Sequence, residues 1–154
     1  MRHAASIALT MTTSSKLTPA HAADALVATY YATFNNGDRS AFLELLTADV
    51  IHDLNQGPRE IGKPAFAAFL ARMDRCYREQ IRDIRITVAA DGTHAAAEYV
   101  VHGTYLSQDD GLPPATGQTY RLPGGAFFDL RAGKIARVTN CYNLNDWLRQ
   151  VGAA

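Results

Sequence analysis

Residues 30–57, YYATFNNGDRSAFLELLTADVIHDLNQG, contain the end of one helix, a short second helix and a strand. The apolar residues leading into this stretch recur at helical spacing, with Tyr30 in the middle of the stripe and Tyr31 at its margin. Gly37 supplies a cap that ends the first helix, and Asp38 caps the second. A tyrosine in mid-stripe points inward, so the phenol of Tyr30 needs a hydrogen-bond partner.

The rest of the chain places helices first and strands afterwards. Thr18 as N-cap and Pro19 at the first helical position predict that the first helix spans 19–36. Apolar periodicity and turn residues predict further helices over 39–46, 64–77 and 145–151, and strands over 50–55, 81–90, 94–106, 118–130 and 134–144. Pro-Gly-Gly at 123–125 predicts a bend or bulge. This order predicts an α+β fold, with helices on one face of a curved antiparallel sheet around an apolar pocket.

Composition excludes several classes of function. The 154 residues include fifteen basic and fifteen acidic side chains, scattered along the chain, so no basic surface for nucleic acid is predicted. No apolar run is long enough to cross a membrane. Cys76 and Cys141 are far apart, which indicates reduced thiols and a cytoplasmic protein. No metal-ligand spacing or phosphate loop is present, and we expect neither metal nor cofactor.

The N-terminus is predicted to lie outside the folded domain. Residues 1–17 combine a short, broken apolar stretch with a polar segment, which predicts a disordered extension and leaves Met1 or Met11 as the start. Residues 18–154 are then one domain of ordinary size.

Three further stretches, IGKPAFAAFL (61–70), GLPPATGQTYRLPGGAFF (111–128) and FFDLRAGKIARVTNCYN (127–143), complete a pattern with residues 30–57. The whole resembles the cone-shaped fold of nuclear transport factor 2 (NTF2), in its SnoaL-like and ketosteroid isomerase-related branches. The resemblance implies a fold that carries many functions, often in a homodimer formed through the outer sheet face.

The ketosteroid isomerase resemblance implies catalytic residues. A helix tyrosine that holds the enolate oxygen falls on Tyr30, and an aspartate base falls on Asp53 if one residue is deleted from the alignment, or on Leu54 without the deletion. The protonated acid that completes the oxyanion hole falls on Gly125, which has no side chain. Half of that hole is therefore missing.

The same resemblance predicts the walls of the pocket. The pocket aromatic of the last strand falls on Tyr142, with Asn140 on the same face by alternation, and Phe127 comes from the preceding strand. The amide of Asn140 needs a ligand or a polar side chain as its partner.

Alternation leaves some positions open. Only one of His52 and Asp53 points inward, and an inward His52 becomes the candidate base because it titrates near neutral pH. Asn55 shares the face of Asp53 and either contacts substrate or forms the following turn. Glu98 and His102 form an acid/base pair or, more simply, lie on the outer face.

Three hypotheses for function follow. The first is a cofactor-independent isomerase, of the steroid delta-isomerase kind, or a polyketide cyclase, moving a proton next to a carbonyl with Asp53 as base and Tyr30 as donor. The second is a non-catalytic module that binds a small hydrophobic ligand, and the third is a dimeric interaction protein.

Overall fold

The structure is a computed structural model that describes residues 17–152. The predicted extension over residues 1–17, apart from Leu17, lies outside the described residues, as do both candidate start residues. The division into an extension and one domain over residues 18–154 stays a prediction.

Four helices and six strands are present within residues 17–152. The helices are α1 (Pro19–Asn36), α2 (Arg39–Glu44), α3 (Lys63–Cys76) and α4 (Leu144–Val151). The strands are β1 (Leu46–Leu54), β2 (Glu60–Ile61), β3 (Tyr77–Val88), β4 (His94–Tyr105), β5 (Thr119–Arg131) and β6 (Lys134–Tyr142).

Side-chain caps begin the first two helices at the predicted residues, although α2 ends at Glu44 and not at the predicted residue 46. The side chain of Thr18 accepts a hydrogen bond from the backbone N–H of His21 at 3.2 Å, and that of Asp38 accepts one from Ala41 at 2.9 Å. Gly37 ends α1 in the left-handed conformation with φ of 74°, which glycine adopts without steric cost. The first helix therefore has the predicted bounds.

The strands form one curved, unclosed sheet in the order β2-β1-β6-β5-β4-β3. All neighbouring strands are antiparallel except β1 and β6, which are parallel, a pairing that the sequence did not indicate. Helix α1 packs on β3 and β4, α3 on β1, and α4 on β5. The predicted α+β fold, a cone with helices over the concave face of the sheet, is confirmed.

Strand β3 differs from its prediction in a way that changes the site. It begins at Tyr77, directly after α3, instead of at Ile81. A bulge lies at Asp83, where φ is 54° and the register with β4 shifts between Arg82 and Arg85. The bulge reverses the alternation of the strand, so odd-numbered residues face inward before it and even-numbered residues after it.

The bulge predicted at 123–125 is absent. Both neighbouring strands pair with this part of β5 in continuous register. The bulge alternative was wrong, since neither glycine adopts a positive φ, and the bend that the sequence also allowed stays a prediction.

Helix α1 rests on the sheet in a slightly different rotation from the one predicted. Tyr30 is buried, with 7% of its surface exposed, and Tyr31 is even more buried at 4%. The ring of Tyr31 contacts Tyr99 and Phe128 from the sheet, with centroids 5.4 and 6.1 Å away. Its predicted place at the margin was wrong, because these two rings cover that side of the helix. Within residues 17–152 no helix is long and apolar enough to span a membrane.

Candidate functional site

A cavity of about 470 Å³ lies between the helices and the concave face of the sheet. This volume is within the range of small-molecule sites. Aromatic side chains form most of the wall: Tyr30, Tyr31, Phe34, Phe42, Phe66, Phe69, Tyr77, Tyr99, Tyr142 and Trp147. Polar side chains interrupt it: Gln56, Glu60, Arg72, Glu79, Asp109, Asp110 and Asn140.

Glu79 is placed by a row of three paired residues across the sheet. Glu79 on β3 is opposite Gly103 on β4, which is opposite Tyr120 on β5. Because Gly103 has no side chain, the ring of Tyr120 passes over it, and a Cβ there would lie 2.1 Å from the ring's Cζ. The hydroxyl of Tyr120 thereby reaches Glu79 and donates a hydrogen bond to Oε1.

The carboxyl of Glu79 lies in an apolar environment. Burial raises its pKa above the ordinary value, although the hydrogen bond from Tyr120 and the charge of Arg39 lower it. In the described part of the chain, the hydrogen bond from Tyr120 is the one found on this carboxyl, so Oε2 is available to a ligand. Burial raises the pKa of the Tyr99 and Tyr142 phenols, and the charge of Glu79 raises it further.

The ring of Tyr99 passes over a second glycine in the same manner. Tyr99 on β4 is opposite Gly124 on β5, and a Cβ at Gly124 would lie 3.0 Å from the Tyr99 ring. The phenol leans towards β6, where its hydroxyl donates to the carbonyl oxygen of Gly125 and to Oδ1 of Asn140, both at 3.4 Å. These bonds are at the long limit of hydrogen bonding and are therefore weak.

A chain of hydrogen bonds leads from Tyr99 to Glu60, another residue of the cavity wall. Nδ2 of Asn140 donates to Nε2 of His52 at 3.0 Å, which orients Oδ1 towards Tyr99. Nδ1 of His52 donates to Oε2 of Glu60, also at 3.0 Å. Since Nε2 accepts and Nδ1 donates, the network assigns a neutral His52 with its proton on Nδ1.

His52 is held by the surrounding rings as well as by these bonds. It is 1% exposed, stacks on Phe66 at 4.3 Å and meets the edge of Phe69 at 4.5 Å. Burial lowers its pKa, while the carboxylate of Glu60 acts in the opposite direction. With both ring nitrogens bonded, His52 fixes Asn140 and does not itself border the cavity.

Arg72 is the cation on the cavity wall. Its Nε lies 3.9 Å from Oδ2 of Asp109, too far for a hydrogen bond, and that oxygen already accepts one from the Tyr77 hydroxyl at 2.8 Å. The guanidinium also lies over the Phe69 ring, 5.6 Å from its centroid. The polar residues of the cavity thus carry more negative than positive charge.

Three of the predicted site residues line the cavity. Tyr30 is on the wall, packed against Phe42 with ring centroids 4.5 Å apart, and no hydrogen bond to its hydroxyl is found in the described residues. Burial raises the pKa of this phenol, which therefore stays protonated. Asn140 and Tyr142 share the inward face of β6 as alternation predicted.

Asp53, the predicted base, is outside the cavity, and this placement corrects the prediction. Its carboxylate accepts two hydrogen bonds from Arg59, at 2.7 and 2.9 Å, which lower its pKa. Alternation along β1 turns His52 and Leu54 inward and Asp53 outward, so the alignment without a deletion is the one consistent with the structure. Asn55 is also outside, exposed, and donates to Sγ of Cys141 at 3.0 Å.

Phe127 and Gly125 face outward as well. Phe127 is 54% exposed, whereas its neighbour Phe128 is 1% exposed and faces inward, so the predicted pocket position of Phe127 was wrong by one residue. The same alternation turns Gly124 inward in place of Gly125. Glu98 lies on the outer face, bonded to Arg85 at 3.2 Å, as the simpler reading expected.

Sequence reasoning missed Glu79 and Tyr99. The predicted strand started at Ile81, and alternation extended backwards from Ile84 would have turned Glu79 outward, because the bulge at Asp83 carries no sequence signal. Tyr99 had a signal, since it alternates with Glu98 on a long strand. Within residues 17–152 no group of three potential metal ligands is found.

Residues 27–138 match the sequence profile of the SnoaL-like domain. The match spans more than half of the chain. The protein belongs to the SnoaL-like domain family. No curated protein sequence matches the chain significantly.

Two solved structures are similar to this chain over most of its length. A candidate polyketide cyclase from Pseudomonas putida KT2440 is 60% identical, with a TM-score of 0.82, and the match covers 88% of this chain and 99% of that one. A second, from Xanthomonas campestris, is 59% identical over 86% of this chain and 98% of that one, with a TM-score of 0.84.

A more distant neighbour shows the fold alone. An NTF2-like protein from Burkholderia xenovorans LB400 is 15% identical, with a TM-score of 0.66, and the match covers 84% of this chain and 95% of that one. The SnoaL-like chain therefore has the NTF2-like cone that the sequence predicted.

Proposed function

We propose that the protein is an enzyme that moves a proton next to a carbonyl group in a small, largely apolar substrate, in an isomerase or polyketide cyclase type of reaction. The observation that carries the proposal is the carboxyl of Glu79 on the wall of an aromatic cavity, with its pKa raised by burial. A base of raised pKa is better matched to a weakly acidic C–H group than an exposed carboxylate is.

In the proposed reaction, Oε2 of Glu79 takes the proton from the carbon next to the carbonyl. The electron pair of the broken C–H bond forms the double bond of an enolate, and the negative charge moves to the carbonyl oxygen. In an isomerisation, the proton returns from Glu79 to another carbon of the enolate. In a cyclisation, the enolate carbon bonds to a second carbonyl carbon of the substrate, the electron pair of that C=O bond moves to its oxygen, and this oxygen takes the proton from Glu79. Tyr120 keeps Oε1 fixed throughout.

Two further observations support the proposal. Aromatic and aliphatic side chains form most of the cavity wall, as expected for an apolar substrate. The relatives at 59% and 60% identity are described as candidate polyketide cyclases. Asp53, which the ketosteroid isomerase resemblance implied as base, is replaced in this proposal by Glu79.

Incorporation of deuterium from D₂O into 2-tetralone, an apolar bicyclic ketone, tests the proposal. The wild-type protein should accelerate exchange at the carbon next to the carbonyl, and Glu79→Gln should lose about 100-fold or more of that acceleration. Glu98→Gln, on the exposed outer face, is the matched control and should keep the wild-type rate. A 5-ene-3-ketosteroid in the same assay separates isomerisation from simple exchange.

The second candidate is a non-catalytic module that binds a small hydrophobic ligand. The aromatic wall favours it, because burial of apolar ligand surface needs no proton transfer. Tight binding of 2-tetralone without any exchange above the background in D₂O would select this function over the enzyme.

A further inference from the structure

Three neighbouring phenols, Tyr30, Tyr31 and Tyr99, lie on the cavity wall. The ring of Tyr31 lies edge-on to Tyr30, with centroids 5.2 Å apart, and 5.4 Å from the ring of Tyr99. Burial raises the pKa of each of the three phenols, so all three hydroxyls stay protonated. The cluster can therefore donate hydrogen bonds.

The hydroxyl of Tyr31 has no partner in the described part of the protein. Tyr31 is 4% exposed, its oxygen is buried, and the side chain is on the cavity wall. A buried hydroxyl without a hydrogen bond destabilises a fold, and such groups are rare in native proteins. The hydroxyl of Tyr99 is only weakly bonded, since both of its hydrogen bonds are 3.4 Å long.

We propose that Tyr31 and Tyr99 form a subsite that binds a neutral carbonyl oxygen of the ligand. Two protonated phenols offer donors, which an acceptor oxygen requires. A carboxylate is disfavoured, because the surroundings of these phenols are aromatic rings and the cation on the cavity wall, Arg72, pairs with Asp109. Gly124, beneath the Tyr99 ring, leaves the space in which that phenol lies.

Asn140 positions the second donor. Its amide nitrogen is committed to His52, so Oδ1 faces Tyr99 and holds the phenol at the cavity wall until a stronger acceptor arrives. The subsite rests on the proposed function for its part in catalysis, where the oxygen would carry the enolate charge. Binding of a ketone is expected whether or not any proton moves.

Affinities for 2-tetralone and for its hydrocarbon counterpart tetralin test the subsite. The wild type should bind 2-tetralone more tightly than tetralin, and Tyr31→Phe should weaken 2-tetralone binding about fivefold to tenfold and leave tetralin binding unchanged. Tyr99→Phe should act in the same direction. Equal affinity of the wild type for the two ligands, or an equal loss for both in Tyr31→Phe, would overturn the proposal.

Thermal unfolding of the free protein separates a ligand-binding hydroxyl from a structural one. Tyr31→Phe removes an unpartnered group and should leave the melting temperature unchanged or raise it. Tyr105→Phe is the matched control, because that hydroxyl bonds Pro113 and Asp109 at 2.9 and 2.8 Å, and its loss should lower the melting temperature. A Tyr31→Phe protein that melts as early as Tyr105→Phe contradicts the subsite.

These measurements are independent of the deuterium exchange. Failure of the proposed function would appear as absent exchange in the wild type, whereas failure of the subsite would appear as lost discrimination between 2-tetralone and tetralin. Both results can be obtained from one protein preparation.

Discussion

At the scale of single residues, two carboxylates that look equivalent in the sequence lie in opposite environments. Asp53 is held by Arg59 outside the cavity, and its pKa is lowered. Glu79 lies among phenols inside the cavity, and its pKa is raised. Only the second environment favours proton transfer to and from carbon near neutral pH.

The raised pKa of Glu79 has a consequence for stability. Because the folded state keeps this proton at pH values where the unfolded chain has lost it, stability decreases as the pH rises above the ordinary value of 4.5. We expect Glu79→Gln to have a higher free energy of unfolding than the wild type at about pH 8, with the difference vanishing towards about pH 3.

Urea unfolding of the two proteins across this pH range measures the effect. The glutamine side chain introduced by Glu79→Gln keeps an acceptor oxygen for Tyr120, so the substitution changes charge more than contacts. A Glu79→Gln protein that is less stable than the wild type at about pH 8 would show that the carboxylate stabilises the fold, contrary to the expected direction.

Residue-level prediction succeeded where local chemistry decides the position. The caps Thr18, Gly37 and Asp38 act as expected, and the inward phenol of Tyr30 is on the cavity wall. The choice between His52 and Asp53 could not be made from the sequence, because either phase of the alternating strand is compatible with its apolar residues.

At the scale of elements, two glycines on the sheet decide which side chains meet. Gly103 lets Tyr120 reach Glu79, and Gly124 makes room for Tyr99. A glycine within a strand signals close approach of another group, but the sequence does not indicate which group approaches. The sequence does not signal the bulge in β3 either. Because the bulge reverses the alternation of the strand, Glu79 faces inward.

Gly103→Ala tests this arrangement. Its Cβ would lie 2.1 Å from Cζ of Tyr120, so the ring must move and the hydrogen bond to Glu79 is lost. We expect destabilisation of about 1–3 kcal/mol in urea unfolding, with slower deuterium exchange in the same variant. Gly57→Ala is the control, since a Cβ there has no atom within 4 Å. Equal stability of both variants would contradict the close packing of Tyr120.

At the scale of the whole molecule, the order of elements was sufficient to predict the α+β cone, and the SnoaL-like family match agrees with it. The parallel pairing of β1 with β6 was not predictable from local pattern, because it joins segments that are far apart along the chain. It matters for function, since it brings His52 of β1 beside Asn140 of β6.

We propose that the outer sheet face forms a homodimer, as the resemblance implied. Phe127 projects from the centre of this face, where β5 pairs with β4 and β6, and is 54% exposed. Phe127→Glu should shift the molecular mass in multi-angle light scattering from dimer to monomer. Leu106→Glu, at an exposed position after β4, should not, and a monomeric wild type would remove the proposal.

In the proposed function, Glu79 and not Asp53 moves the proton. Deuterium exchange into 2-tetralone, measured side by side for the wild type, Glu79→Gln and Asp53→Asn, compares the two carboxyls directly. We expect about 100-fold or greater loss of exchange in Glu79→Gln and a wild-type rate in Asp53→Asn. Loss of exchange in Asp53→Asn with activity retained in Glu79→Gln would contradict this role of Glu79.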